Sequence, residues 1–310
     1  VNNPTVSVII IIGDDDVLLR EALTSLLDQN GPTIEVILVD TSTRGITRDL
    51  KGYLDDQRVR FMSINGTKAR GFNKGVAAAA GDWIAIQSPE ESATENRFQL
   101  QLDAIGDRAD SISFGFPIID QSHTSLSEDK QLSESHTLDL TSATAGSLFR
   151  RLFFEGECFW SSTAFMNKSV LQRVGSFNES FNQAYLFEYW VRALKAGVSF
   201  QFDLFKLVKR LNCSLPSIQE EKGRFEYINV YENFFDGGSQ ELLSSAFSND
   251  DYLILPLSHE NKEINNSLLY LSHKFSFVNY IGRIKTRRIY DIKGNIPSLL
   301  GRSIIEAIKL

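Results

Sequence analysis

The chain has 310 residues, 42% of them hydrophobic, which is enough to build one large α/β domain or a domain with an extension. Its formal charge of −7 excludes an ordinary nucleic-acid binder, since such a surface needs cations to neutralise phosphates. Two cysteines, Cys158 and Cys213, exclude a disulfide framework and fit a reducing compartment.

The first element is Thr5 to Ile12, apolar and β-branched almost throughout, and Ile34 to Asp40 and Trp83 to Gln87 repeat the pattern. Such runs are expected of strands buried on both faces of a parallel sheet. Between them, Val17 to Gln29 places Leu18, Ala22 and Leu26 at helical spacing, and Asn73 to Ala80 predicts a second, alanine-rich helix closed by Gly81. Strand, helix, strand, helix predicts a doubly wound sheet. Asp110 to Phe116 is a further strand, and residues 120–144, rich in Ser, Thr, Asp and Glu, read as a loop. Apolar character returns at Leu148 to Phe154 and Phe159 to Met166, and Tyr185 to Ala196 is a helix ending at Gly197. Trp190 is expected in the core rather than on a sugar. From Asn212 onward the pattern is helical, with a basic run from Arg283 to Arg288 read as a solvated helix face. This divides the chain into an α/β domain, 1–215, and a helical C-terminal extension, 216–310. The apolar runs are all shorter than the roughly 20 residues of a spanning helix. A start at Val1 without a signal-peptide pattern suggests a piece of a longer protein, with other domains as partners. The sequon Asn178-Glu179-Ser180 is read as a chance match.

In an open parallel sheet, ligands bind outside the carboxyl ends of the strands. Three exits are informative: Gly13-Asp14-Asp15-Asp16, Val39-Asp40-Thr41-Ser42, and Gln87-Ser88-Pro89-Glu90-Glu91. Carboxylates alone repel a phosphate, so acids here point to a base or ribose contact at one exit and a divalent cation at another. The acids at 14–16 precede a helix and read as helix-start residues. The first exit also lacks the Gly-x-Gly-x-x-Gly turn of a nicotinamide-binding Rossmann domain, which rules out that class.

Val6-Ser7-Val8-Ile9-Ile10, Ala22 to Gln29, Glu35 to Asp40, and Asn73-Lys74-Gly75 followed by Ala80-Gly81-Asp82-Trp83 stand in the order and spacing of family 2 glycosyltransferases. The chain resembles that family in four elements in register. The likeness continues through Phe154 to Cys158, Val174 to Glu179, Phe187 to Arg192 and Glu232 to Gly237, so it covers residues 4 to about 247. The resemblance implies a GT-A fold, Rossmann-like and doubly wound with a mostly parallel sheet. It also implies inverting transfer of a sugar from a nucleotide-diphosphate donor to a glycan acceptor, in bacterial surface polysaccharide or glycoprotein synthesis. The implied place is cytoplasmic, with peripheral attachment to the membrane as the alternative.

The same resemblance assigns roles. Asp40 matches the acid that bonds the nucleobase; Ser88, Asn73 and Arg210 match positions around the nucleotide sugar. Glu90 and Glu91 stand where an Asp-x-Asp motif would hold Mg²⁺ or Mn²⁺, and the longer glutamate predicts weaker metal binding or none. The catalytic base would be an acid at the position of Leu186, which cannot accept a proton. Glu188 is the nearby substitute, although an offset of two residues turns it about 200° around a helix. Further departures are Ile11, Thr41, Phe72 and Asn212, where the family has proline, a second acid, arginine and histidine. Two readings follow: an active glycosyltransferase, or an inactive domain of that shape that binds a glycan or a protein.

Overall fold

The computed structural model describes residues 4–13, 19–42, 50–118, 140–210, 226–227, 229–231, 233–234 and 236–247. The acids at 14–16, most of the loop at 120–144, Asn212, Cys213 and the basic run at 283–288 lie outside the described residues. Two compact units emerge, one comprising Val1–Ala143 and Phe159–Glu226, the other Thr144–Cys158 and Tyr227–Leu310.

The first unit is built on an eight-stranded sheet. In chain order it contains β1 (Val6–Ile12), α1 (Leu19–Leu27), β2 (Ile34–Asp40), α2 (Lys51–Leu54), β3 (Val59–Ser63), α3 (Lys68–Ala78), β4 (Trp83–Ile86), β5 (Glu91–Ala93), α4 (Arg97–Ile105) and β6 (Ser111–Ile118). The strand order is β3-β2-β1-β4-β7-β6-β8-β5, where β7 is Phe165–Asn167 and β8 is Ser199–Arg210. Strands β3, β2, β1 and β4 run parallel, as do β6 and β8, while β7 and β5 pair antiparallel with their neighbours. The predicted α/β sheet is therefore present, with short antiparallel strands inserted on one side. Val6, Val8, Ile9 and Ile10 of β1 and Val36 to Val39 of β2 are wholly buried, as a central strand covered by helices on both faces requires.

Helix α3 starts five residues earlier than its sequence pattern suggests. Thr67 caps it, its side chain accepting from the Arg70 amide, and Lys68 is the first helical residue. It also ends before Gly81. That glycine is needed for a different reason: a Cβ there would lie 2.9 Å from the Ser7 amide nitrogen and from the Val6 carbonyl carbon. Gly197 does close its helix in the left-handed conformation, with φ of 72°. Among the described residues this unit also contains α6 (Lys168–Val174) and α7 (Tyr185–Lys195), whose Trp190 is fully buried as expected.

In the second unit, α5 (Ala145–Glu155) packs on α8 (Gln240–Phe247). Thr144 and Ser147 form a reciprocal capping box at the start of α5. Phe149 and Phe153 meet Phe234 at ring separations of 4.6 and 5.2 Å. Among the described residues no helix is long and apolar enough to cross a membrane.

Candidate functional site

The parallel strands β1, β2 and β4 bring their carboxyl ends to one side of the first unit, where Asp40 ends β2 and Glu90 and Glu91 follow β4. Asp40 is the last residue of β2, in register with Ile12 of β1 and Ser63 of β3. The sheet continues past it: the Ile64 amide donates to the Asp40 carbonyl at 2.9 Å, and the Thr41 hydroxyl donates to the Ile12 carbonyl at 3.0 Å. Thr41, where the family has a second acid, thus ties the two strand exits together. The Asp40 side chain is only 1% exposed. Its Oδ1 accepts the Ser42 amide at 2.9 Å, and its Oδ2 is buried without a hydrogen-bond partner among the described residues. A buried carboxylate oxygen without a donor is costly, and the arrangement suits a ligand that brings an N–H or O–H.

Beyond β4, residues 87–91 form a turn. The Glu90 amide donates to Ser88 Oγ at 3.3 Å and the Glu91 amide to the Ser88 carbonyl at 3.3 Å. Glu90 is half-buried and its carboxylate meets no described partner. Glu91 is different. It is 5% exposed, its Oε1 accepts Trp160 Nε1 at 2.7 Å, and its Oε2 accepts the Ser162 hydroxyl. The expected pair of metal acids is therefore split: Glu90 stands in the turn, while Glu91 opens β5 and is held by Trp160 and Ser162.

Beneath this turn lies a feature that sequence reading missed. Arg97, at the start of α4, is wholly buried, donating to the Gln87 side chain, to the carbonyls of Ile86 and Ser162 at 2.9 and 3.0 Å, and to Gln101 at 3.2 Å. Gln87 in turn donates to the Glu91 carbonyl at 2.6 Å. Burial pulls the guanidinium down to about 10, and the Glu91 charge opposes that shift. The network sets the path of the chain through the acidic turn. An arginine heading an amphipathic helix gives no sequence signal of burial, since arginines there are normally solvated.

Asn73 was expected at the nucleotide sugar. Both its amide hydrogens are committed elsewhere, to the Phe177 carbonyl at 2.9 Å and to Glu179 at 3.1 Å, and its oxygen accepts the Phe177 amide at 2.9 Å. It fastens α3 to the segment leading into α7. Phe72 beside it, where the family has arginine, is fully buried against Phe177, ring to ring at 4.6 Å. Glu188, the expected substitute base, is clasped by Arg192 at 2.8 and 2.9 Å, and Arg192 also holds the Val174 and Ser176 carbonyls. Burial would lower the Arg192 pKa, but the hydrogen bonds and charge of Glu188 more than offset it and leave it raised. Both oxygens of Glu188 thus serve a structural clamp. Arg210 ends β8 in register with Glu91; its side chain lies outside the described residues. Among the described residues no group of three His, Cys, Asp or Glu is arranged to hold a metal; at this turn Glu91 is engaged by Trp160 and Ser162, and Glu90 has no described partner.

The Glycosyl transferase family 2 profile matches residues 7–175 of this chain. An uncharacterized glycosyltransferase of Rickettsia typhi is 26% identical over 246 residues, which is 77% of this chain and 73% of that protein. The succinoglycan biosynthesis protein ExoO of Rhizobium meliloti is 31% identical over 90 residues, 28% of this chain and 26% of that protein. Two solved structures share the fold at 13% identity and a TM-score of 0.58. They are S. aureus TarS, with 98% of this chain covered, and the mannosyltransferase PcManGT of Pyrobaculum calidifontis with GDP-Man and Mn²⁺, with 99% covered. This chain spans 48% of TarS and 81% of PcManGT.

Proposed function

This chain belongs to glycosyl transferase family 2, matched over more than half its length, and on that premise we propose that it transfers a sugar, with inversion, from a nucleoside-diphosphate donor to a glycan acceptor in bacterial polysaccharide assembly. The observation that carries the reading is Asp40: a carboxylate 1% exposed, at a strand's carboxyl end, with one oxygen unpaired among the described residues. A pyrimidine or purine N–H, or a ribose hydroxyl, satisfies that oxygen, and a nucleotide lying across the ends of β2, β1 and β4 reaches from Asp40 to Ser88 and Glu90. The ExoO relative, by its name a succinoglycan biosynthesis protein, supports the polysaccharide setting.

Glu90 fits a divalent cation in part. Mg²⁺ is commonly held by one or two carboxylates together with substrate phosphates and water, so a single free carboxylate suffices to begin such a site. A cation there supplies charge neutralisation to the departing diphosphate. Glu91, Asn73 and Glu188 are assigned structural roles, because their polar atoms already bond protein groups. A cytoplasmic or membrane-peripheral place belongs to the same reading. Calorimetric titration with UDP and with GDP, each with and without Mn²⁺, tests it: saturable binding that strengthens with Mn²⁺ is expected, and no binding under any condition refutes it.

A second reading, an inactive domain binding a glycan or a protein, draws support from Leu186 at the expected base position and from the commitment of both Glu188 oxygens to Arg192. It predicts no nucleotide-dependent heat at all.

A further inference from the structure

Helix α7 begins without a cap of its own, since Ala184 at the N-cap makes no side-chain hydrogen bond. The acceptor comes from far along the chain. The amides of Asn182, Gln183 and Ala184 converge on one oxygen, Oε2 of Glu226, at 2.9, 2.6 and 2.9 Å. The other oxygen, Oε1, accepts from no described residue, and Glu226 is only half-buried. Half of this carboxylate is anchored and half is free.

The anchoring places it at the ligand end of the sheet. The Ile64 amide bonds the carbonyl of Asp40, and four residues on, the Lys68 amide bonds the side chain of Asn182 at 2.9 Å. The neighbouring Thr67 hydroxyl holds the Glu179 carbonyl, also at 2.9 Å. The stretch from Glu179 to Asn182, whose last amide Glu226 holds, is therefore docked on the N-terminus of α3, the helix that follows β3 and its pairing with Asp40. Other described carboxylates near the start of α7 are engaged on both oxygens: Glu188 by Arg192, and Glu179 by Asn73 and, at 3.9 Å, by Arg70. Leu186 has no acceptor to offer.

Resting on the glycosyl-transfer reading, we propose that Glu226 is the general base, supplied from outside α7. The acceptor hydroxyl oxygen forms the new bond to the anomeric carbon on the face opposite the diphosphate. The bond from that carbon to the diphosphate oxygen breaks, and the nucleoside diphosphate leaves with the electron pair. The hydroxyl proton passes to Glu226 Oε1. Holding Oε2 on three amides fixes the carboxylate in one orientation, as a base acting on a bound hydroxyl requires.

Glu226→Gln separates the two roles of the side chain, because its amide oxygen can still accept the three amides while no carboxylate remains. The assay is release of UDP from UDP-N-acetylglucosamine and of GDP from GDP-mannose with water as acceptor, in Mn²⁺, alongside calorimetry with UDP and GDP. The expected result is a fall in kcat of about 100-fold or more for Glu226→Gln, with KM, nucleotide affinity and thermal unfolding near wild type. Glu188→Gln is expected to keep most of the turnover. A Glu226→Gln chain that turns over at the wild-type rate overturns the proposal. So does a wild-type chain that binds nucleotide but releases none, which leaves Glu226 as a helix cap alone. A wild-type chain that binds neither UDP nor GDP instead sinks the glycosyl-transfer reading itself.

Discussion

Replacing the two adjacent acids of the turn after β4 one at a time should produce opposite phenotypes. Glu91→Ala removes a carboxylate that is 5% exposed and that receives Trp160 Nε1 and the Ser162 hydroxyl. It also removes the charge that opposes the desolvation of Arg97, a guanidinium with no exposed surface. Two stranded donors and an uncompensated buried cation together cost about 3–5 kcal/mol, or a urea midpoint lower by about 1–2 M. Glu90→Ala removes a half-buried carboxylate without a described partner, so its stability should change by less than about 0.5 kcal/mol. The crossed assay is equilibrium urea unfolding of both variants, followed by calorimetry with UDP and GDP with and without Mn²⁺. Glu90→Ala should unfold like wild type and lose the Mn²⁺ enhancement of nucleotide binding. Glu91→Ala should unfold early, and Glu91→Gln, which keeps one acceptor, should fall between. A Glu91→Ala midpoint equal to wild type would refute the assignment of Glu91 to the Arg97 network.

Asp40→Ala should weaken nucleotide binding by at least about 10-fold, the worth of one hydrogen bond to a charged group; unchanged calorimetric affinity would remove Asp40 from the pocket. Glu35 carries a pH signature: burial raises its carboxyl, but the Ser7 hydroxyl, the amides of Ala80 and Gly81, and Arg60 outweigh that and hold it below its usual 4.5. A carboxyl depressed on folding stabilises the native state above its unfolded pKa and loses that contribution as pH falls through the folded value. Glu35→Gln should accordingly lower stability at pH 7 and flatten the loss seen below about pH 4.5, read by urea midpoints across that range. Gly81→Ala should cost about 1–3 kcal/mol because its Cβ meets the backbone of Val6 and Ser7 at 2.9 Å. Gly52→Ala, on α2 with nothing within 4 Å of a Cβ, should be neutral or stabilising by up to about 1 kcal/mol, both read by the same unfolding assay.

By itself the sequence determined the sheet's central strands and the places where acids leave it. Val6–Ile12 and Ile34–Asp40 are apolar but for Ser7, Glu35 and the final Asp40, because a strand covered on both faces has no solvent side to mark. Asp40 was legible for the same reason: an acid ending such a run stands out, and its place at the strand exit follows from chain order alone. The edge strand β3 was not legible, since its exposed residues break the apolar run, and neither were β5 and β7, each three residues long. The fate of each acid at the site was decided only in three dimensions. Glu90 and Glu91 are adjacent in sequence, yet one is free and the other is locked to Trp160 and Ser162, some seventy positions away in the chain. Glu188 stands two residues from the expected base but is turned to Arg192, one helical turn on, while Glu226 arrives from 42 to 44 residues downstream to meet the same helix end. Whether a carboxylate can bind a ligand depends on which of its oxygens already have donors, and those donors come from distant segments that only packing brings together.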